Sequence, residues 1–276
     1  MTEGQQQSSG GDGATRRRMP AVFVGHGSPM LALNHDELTD GLAAMGARIR
    51  RDFGTPRAIL AVSAHWYSHG GTRVQTSAKP RQIYDMYGFP QALYDLRYPV
   101  AGFPELGRRV LGLPGVSARA DDEWGIDHGV WTPLVHMFPD ADVPVVEMSV
   151  DDALAPRQCY EVGRALATLR DEGYLVLGSG NVVHNLFEVQ WDNPHGTSAA
   201  DAFDAAVRDR VEARDDAGVI DYAHLPHARY AVPTPDHFLP LLYVLGASAG
   251  ERPFVFNAVR QQGSVSMTSY AFGLDA

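Results

Sequence analysis

Four short apolar runs, AVFVGHGS (21–28), AILAVSAHW (58–66), VPVVEMSV (143–150) and YLVLGSGNVVHN (174–185), are spaced along this chain with helix-like stretches between them. That alternation restricts the fold more than any other feature. A short apolar run bounded by turn residues suits a strand buried on both faces, and strands separated by helices build a parallel sheet. After the first run, Leu38, Leu42, Met45, Ile49 and Phe53 recur at helical spacing and predict a helix that stops at Gly54. After the third, Pro156 opens a helix that carries Cys159, Val162, Leu166 and Leu169 on one face and ends at Gly173. Residues 197–215 read as a polar helix rich in Ala and Asp, and PDHFLPLLYVLGA (235–247) as a further short one. FVFNAV (254–259) and SVSMTSYAF (264–272) close the chain as a strand pair, the second with the alternation of an edge strand.

The expectation is a single α/β domain over residues 19–276, with a largely parallel or mixed central sheet flanked by helices. Residues 1–18, rich in Gln, Ser and Gly and ending in three arginines, are expected to form a disordered tail. The segment from Gln75 to Pro104 is rich in Tyr, Pro and Phe and has no clean period. It is expected to lie over the surface, where Tyr84, Tyr87, Tyr94 and Tyr98 either line a substrate mouth or simply pack.

Composition removes several classes of function. With 23 basic against 33 acidic residues the net charge is −10, which repels phosphate backbones, so no nucleic-acid partner is expected. No stretch approaches the roughly 20 apolar residues of a membrane span. The N-terminus has no apolar stretch ahead of its arginines and does not read as a secretory signal. The single cysteine, Cys159, excludes an intramolecular disulfide framework and any Cys-rich metal site. These features point to the cytoplasm. No Walker A or G-x-G-x-x-G element follows a strand, which disfavours nucleotide chemistry.

The eleven histidines are the chemical feature of an otherwise acidic chain. His26, His65 and His184 fall where predicted strands stop, and His237 opens the last helix after a PTPD turn. Open α/β sheets bind ligands outside the carboxyl ends of their strands. A lone loop histidine is more often a hydrogen-bonded structural residue, but four at one rim suit a divalent ion, because neutral imidazole ligates Zn, Fe, Ni and Cu. Gly25, Gly27, Gly178 and Gly180 flank two of the four and allow sharp turns and close approach. His128, preceded by Asp127 in GIDHGVWTPL, suits general acid–base work or a structural turn. His65 and His69 are four apart, but on a strand ending in glycines that spacing does not make a helical zinc pair. Ser28 beside His26 is a conceivable nucleophile, whereas GSG at 178–180 fails as a nucleophile elbow because residue 177 is Leu. His35, His136, His195, His224 and His227 read as surface or structural residues.

Five segments in order, GHGSPM (25–30), SAHW (63–66), IDHGVWTPL (126–134), GSGNVVHNL (178–186) and PTPDHFLPLLYVLG (233–246), resemble the DODA-type class III extradiol ring-cleavage dioxygenases. These are the 4,5-DOPA dioxygenase-like group of the LigB superfamily, and the resemblance covers nearly everything but the tail. It implies an α/β fold with one divalent metal per chain at the strand ends, Fe(II) for catalysis or Zn(II). It implies His26, His65 and His237 as ligands, His184 as a fourth metal neighbour or an acid–base residue, and His128 as a second acid–base histidine. Ser28 and Trp66, inside the first two motifs, are expected against the substrate. The implied reaction opens a catechol, DOPA or another 3,4-dihydroxyphenyl compound, with O2 to a semialdehyde.

Two departures qualify that inheritance. The carboxylate of the usual two-histidine, one-carboxylate triad is His237 here, and an all-histidine site also suits zinc. Plant betalain-pathway members carry a histidine before the proline-rich loop where this chain has Val232, which leaves the particular catechol open. A non-catalytic, Memo-like metal-binding protein and a zinc-dependent hydrolase are the alternatives, the latter lacking a glutamate at zincin spacing. A homo-oligomer remains open.

Overall fold

The four apolar runs form the middle of an eight-stranded sheet in a computed structural model that describes residues 17–274. All but Arg17 and Arg18 of the expected tail lie outside the described residues. The strands are β1 (Ala21–Gly25), β2 (Ile59–Ser68), β3 (Thr72–Val74), β4 (Ala118–Ala120), β5 (Val145–Asp151), β6 (Leu175–Gly180), β7 (Pro253–Phe256), β8 (Arg260–Gln261), β9 (Val265–Ser266) and β10 (Ser269–Phe272). Across the large sheet the order is β4-β3-β5-β2-β6-β1-β10-β7, and β8 pairs with β9 separately. The middle four, β5, β2, β6 and β1, run parallel, while β3 pairs antiparallel with β5 and β10 with β1. The mixed sheet expected from the alternation is therefore present, with its parallel core where the apolar runs are.

Alternate residues of the parallel strands feed opposite faces. Phe23, Leu60, Val62 and Val176 enter one core, and Val22, Val24, Ile59, Ala61 and Leu177 the other. Burial on both faces is why these strands are apolar throughout and not alternating. The helices that cover them are α1 (Glu37–Phe53), α2 (Gln91–Asp95), α3 (Pro104–Leu111), α4 (His128–Met137), α5 (Pro156–Asp171), α6 (Ser198–Ala213), α7 (Asp216–Ile220), α8 (Ala228–Ala231) and α9 (Leu239–Ala247). α5 packs on α9 over the first core, and α1 on α4 over the second. α1 starts as its sequence dictates. The Asp36 carboxylate accepts from Leu38 N (3.0 Å) and Thr39 N (3.1 Å), and Thr39 Oγ1 accepts from Asp36 N, a reciprocal cap of about 1 kcal/mol. No helix among the described residues is long and apolar enough to cross a membrane.

Two expectations need correction. SVSMTSYAF does not supply an edge strand: β10 lies inside the sheet between β1 and β7, and β7 is the edge. Its serines imitate solvent-facing residues but are buried and satisfied. Ser269 Oγ donates to Met267 O, and Ser266 Oγ and Thr268 Oγ1 donate to the Asp204 carboxylate. The 75–104 excursion is likewise more than a surface cover. Leu93, Tyr98 and Val100 are buried in the second core, with the Tyr98 hydroxyl donating to Phe138 O (2.9 Å).

Candidate active site

His26 follows the last residue of β1, at the carboxyl edge of the parallel strands. Its Nδ1 lies 2.9 Å from Ser179 Oγ, at the end of neighbouring β6. The Ser179 hydroxyl donates in turn to Gly129 O, so it must accept from Nδ1–H, which leaves Nε2 of His26 with a free lone pair. His65 lies within β2 and not after it, as the sequence led us to expect. Ser63 pairs with Ser149 and Tyr67 with Val150, so Ala64, His65 and Trp66 bulge out of the ladder between adjacent β5 partners. A bulge re-aims a side chain without ending the strand. Here it turns His65 Nε2 to 3.0 Å from His26 Nε2, while Nδ1 stands 3.3 Å from Asp85 Oδ2.

His237 reaches the same point from the turn before α9. Its Nδ1 hydrogen-bonds the Asp236 carboxylate, and its buried Nε2 has no protein partner. The rings of His26, His65 and His237 form a near-equilateral triangle, with centroids 4.9, 5.0 and 5.2 Å apart. Proximity alone also groups His26 with His65 and His128, and His184 with Asp236 and His237. Hydrogen bonds fix Nδ1 of His26 and of His237, and Asp85 stands 3.3 Å behind Nδ1 of His65, so all three can turn Nε2 to one point. Each ring has an oxygen near Nδ1 and turns Nε2 inward, where His26 and His65 meet only each other and His237 has no partner, the arrangement that orients metal-ligating imidazoles. These residues fit a divalent ion.

His184 stacks face to face on His237, with centroids 3.5 Å apart and planes at 6°. Burial, and then His237 beside it, push its pKa down to about 3. Burial, reinforced by neighbouring histidines, also holds His26 and His65 well below the ordinary imidazole range. His26, His65 and His184 thus present neutral rings at neutral pH, the form that binds metal. Burial raises the Asp236 carboxyl, but the hydrogen bond from His237 more than reverses this and leaves it at about 2. His128 is the first residue of α4, with its ring 3.9 Å from that of His65. The five histidines line one cavity of about 510 Å3.

Asp85 is a cavity residue that sequence reasoning missed. It accepts from His128 N (2.9 Å), and its Oδ2 lies 3.0 Å from His128 Nδ1, although that ring is not turned to donate along the line. Burial raises this carboxyl, yet the bonds from His128 outweigh it and keep Asp85 below the usual carboxylate range. One carboxylate therefore stands behind both His65 and His128. Of the two expected substrate contacts, Ser28 lines the cavity, though its Oγ accepts from Met30 N (3.3 Å). Trp66 is directed elsewhere by the bulge: it is buried and stacked on Trp124 (6.1 Å, 8°), away from the cavity lining. His69, which shares β2's continuation, sits exposed against Asp152. Tyr87 alone of the four tyrosines lines the cavity.

Beneath His128 lies a buried pair of carboxyls, Asp127 and Glu147. Trp124 Nε1 donates to both, at 3.2 and 3.1 Å, and Asp127 also accepts from Ser63 Oγ (2.9 Å) and caps α4 through Val130 N. Burial raises both groups, and the neighbouring Asp127 charge raises Glu147 further, well above its free value. A carboxyl held above its free value contributes stability at low pH and loses it as pH climbs from the free toward the folded value. Glu147's contribution to Tm is therefore expected to decline above about pH 5. Glu147→Gln, which cannot titrate, should flatten Tm against pH over that range. An unchanged slope in the variant would remove Glu147 as its source.

A family model described as the catalytic LigB subunit of aromatic ring-opening dioxygenase matches residues 20–273, and the chain belongs to that family. It is 41% identical to a 4,5-DOPA dioxygenase extradiol of Escherichia coli K12, over 93% of this chain and 95% of that one. It is 35% identical to a protein of the same name from Beta vulgaris, over 83% and 86%. A crystal structure of an uncharacterized E. coli K12 protein superposes with a TM-score of 0.79 at 37% identity, covering 92% of this chain and 99% of that one. Within the LigB superfamily the protein is thus a DODA-type aromatic ring-opening dioxygenase, an oxidoreductase.

Proposed function

We propose that the protein holds one divalent metal at His26, His65 and His237 and opens the ring of a catechol beside its diol with O2. The observation that carries this reading is the shared arrangement of the three imidazoles, each with Nδ1 backed by Ser179, Asp85 or Asp236 and Nε2 left without an oxygen partner. When bound, the ion supplies Lewis acidity toward the diol and an electron path from diol to O2. Zinc has no redox chemistry, so Fe(II) is the catalytic ion and Zn(II) an inactive occupant. His128 and His184 both face the cavity, and His128 is the proton acceptor for a diol hydroxyl. Asp85 stabilises the imidazolium that forms when His128 takes a proton, and His184 lies against the His237 ring as a further metal neighbour.

The reaction balances without another cofactor. The carbon–carbon bond next to the diol breaks, one oxygen atom completes a carboxylate on the hydroxylated carbon, and the other forms an aldehyde on its neighbour. Both electron pairs come from the ring. The relatives named for 4,5-DOPA cleavage support a 3,4-dihydroxyphenyl substrate. A single buried free thiol, Cys159, suits a cytoplasmic setting.

The test is anaerobic loading with Fe(II), followed by oxygen uptake and visible absorbance on adding L-DOPA, caffeate, protocatechuate or 4-methylcatechol. Uptake matching the catechol consumed, with a yellow product, is expected from at least one. Iron-loaded protein that consumes no oxygen with any of them would sink the proposal in favour of a non-catalytic metal protein or a zinc hydrolase.

A further inference from the structure

We propose that the catechol taken by this site carries an uncharged, apolar substituent, which leaves the histidine cluster through an aromatic mouth; this rests on the ring-opening reading above. Beyond the histidines, the cavity wall is Met86, Tyr87, Phe89, Leu186, Trp191 and Val265, with Gln262 among its few polar groups. No lysine or arginine among the described residues lines it, and none lines the groove of about 430 Å3 that continues from it past Ser28, Phe89, Trp191 and Gln262. The charged groups that do face these spaces are acidic, Asp85 in the cavity and Asp192 in the groove. Arg260, next to the groove residue Gln261, is held by Asp201 (2.7 Å) and Asp204.

A substrate carboxylate would thus find no lysine or arginine to meet it and acidic groups nearby, inside a chain of net charge −10. An alkyl, aryl or ester group meets complementary surface instead. Tyr87 is 92% exposed, Trp191 76% and Leu186 62%, and Phe187 beside them 87%. Large apolar side chains left this open at the lip of a polar site need an occupant, and their continuity with the histidine cavity makes the bound substrate that occupant. Rigid aromatic side chains at the lip can pack against a planar substituent at little conformational cost.

The test compares 3-(3,4-dihydroxyphenyl)propanoic acid with its methyl ester, which differ at one group. Binding to iron-loaded protein is measured by calorimetry without oxygen, and kcat/KM with it. The ester is expected to bind at least about tenfold more tightly and to gain in kcat/KM mainly through KM. Trp191→Ala and Tyr87→Ala, both at exposed positions, should remove most of the ester's advantage, and Gln262→Arg should improve the acid. Equal or tighter binding of the acid overturns the proposal. So does a Trp191→Ala variant that changes the oligomer's mass but not ester binding, because the mouth would then be covered by a second copy. Tight ester binding without turnover would uphold this specificity while defeating the ring-opening reading, so the two fail separately.

Discussion

His26→Ala and His237→Ala should each lose the bound metal together with ring-opening activity, whereas His128→Ala should keep the metal and slow turnover by about 10^2- to 10^4-fold. The division follows from what stands behind each ring. His26 and His237 have Nδ1 tied to Ser179 and Asp236, so their only remaining donors are the Nε2 atoms turned inward. His128 faces the Asp85 carboxylate and touches the triangle through His65 alone at close range. Asp85→Asn keeps an acceptor for His128 N but loses the charge behind both His65 and His128, and should cost about ten- to a hundredfold in activity or metal affinity. Metal content by elemental analysis and kcat on the same preparations check the series. Equal metal loss in His26→Ala and His128→Ala would show that His128 is a ligand and not a proton acceptor.

Gly180→Ala is expected to damage the site and the fold together. A Cβ at Gly180 would lie 2.1 Å from His237 O, a backbone atom that also accepts from Asn181 N. The turn carrying His237 can approach the end of β6 only because nothing projects there. Relief of that clash must push His237 out of the triangle or lift α9 from the sheet, at about 3 kcal/mol or more. Metal affinity and Tm should fall together. Gly112→Ala is the control: its Cβ would meet nothing closer than 3.6 Å, so its Tm should move little. A Gly180→Ala protein with native Tm and metal affinity would mean that the His237 turn is not held against β6 in solution.

The legible part of this fold is the part whose chemistry is uniform along the chain. β1, β2, β5 and β6 are apolar on both faces, and α1 and α5 show one apolar stripe each, so their positions follow from spacing. β3 and β4 are three residues each, too short to carry a period. α4 escaped notice for the opposite reason: His128 to Leu134 is buried without interruption, and a helix with no polar face has no stripe to read. Four of the site histidines announced themselves by position after strands and before the last helix, and the fifth by its neighbour Asp127. Asp85 did not, because its role depends on where a segment without a period docks, 43 residues before His128. Trp66 misled because neighbours in sequence within a bulge point to different sides of the sheet.

In the proposed site, the wide separation of His26, His65 and His237 along the chain would govern the order in which the protein matures. His26, His65 and His237 follow β1, lie in the bulge of β2 and precede α9, and no two are close enough in sequence to form a chelating loop in an extended chain. A nascent or unfolded polypeptide therefore has little hold on the ion, and loading must come after the sheet has closed. Affinity is then almost wholly a property of the native state, and each tenfold rise in free metal above Kd adds about 1.4 kcal/mol against unfolding. On that ligand set, metal supply would bear on the protein's stability as well as on its rate.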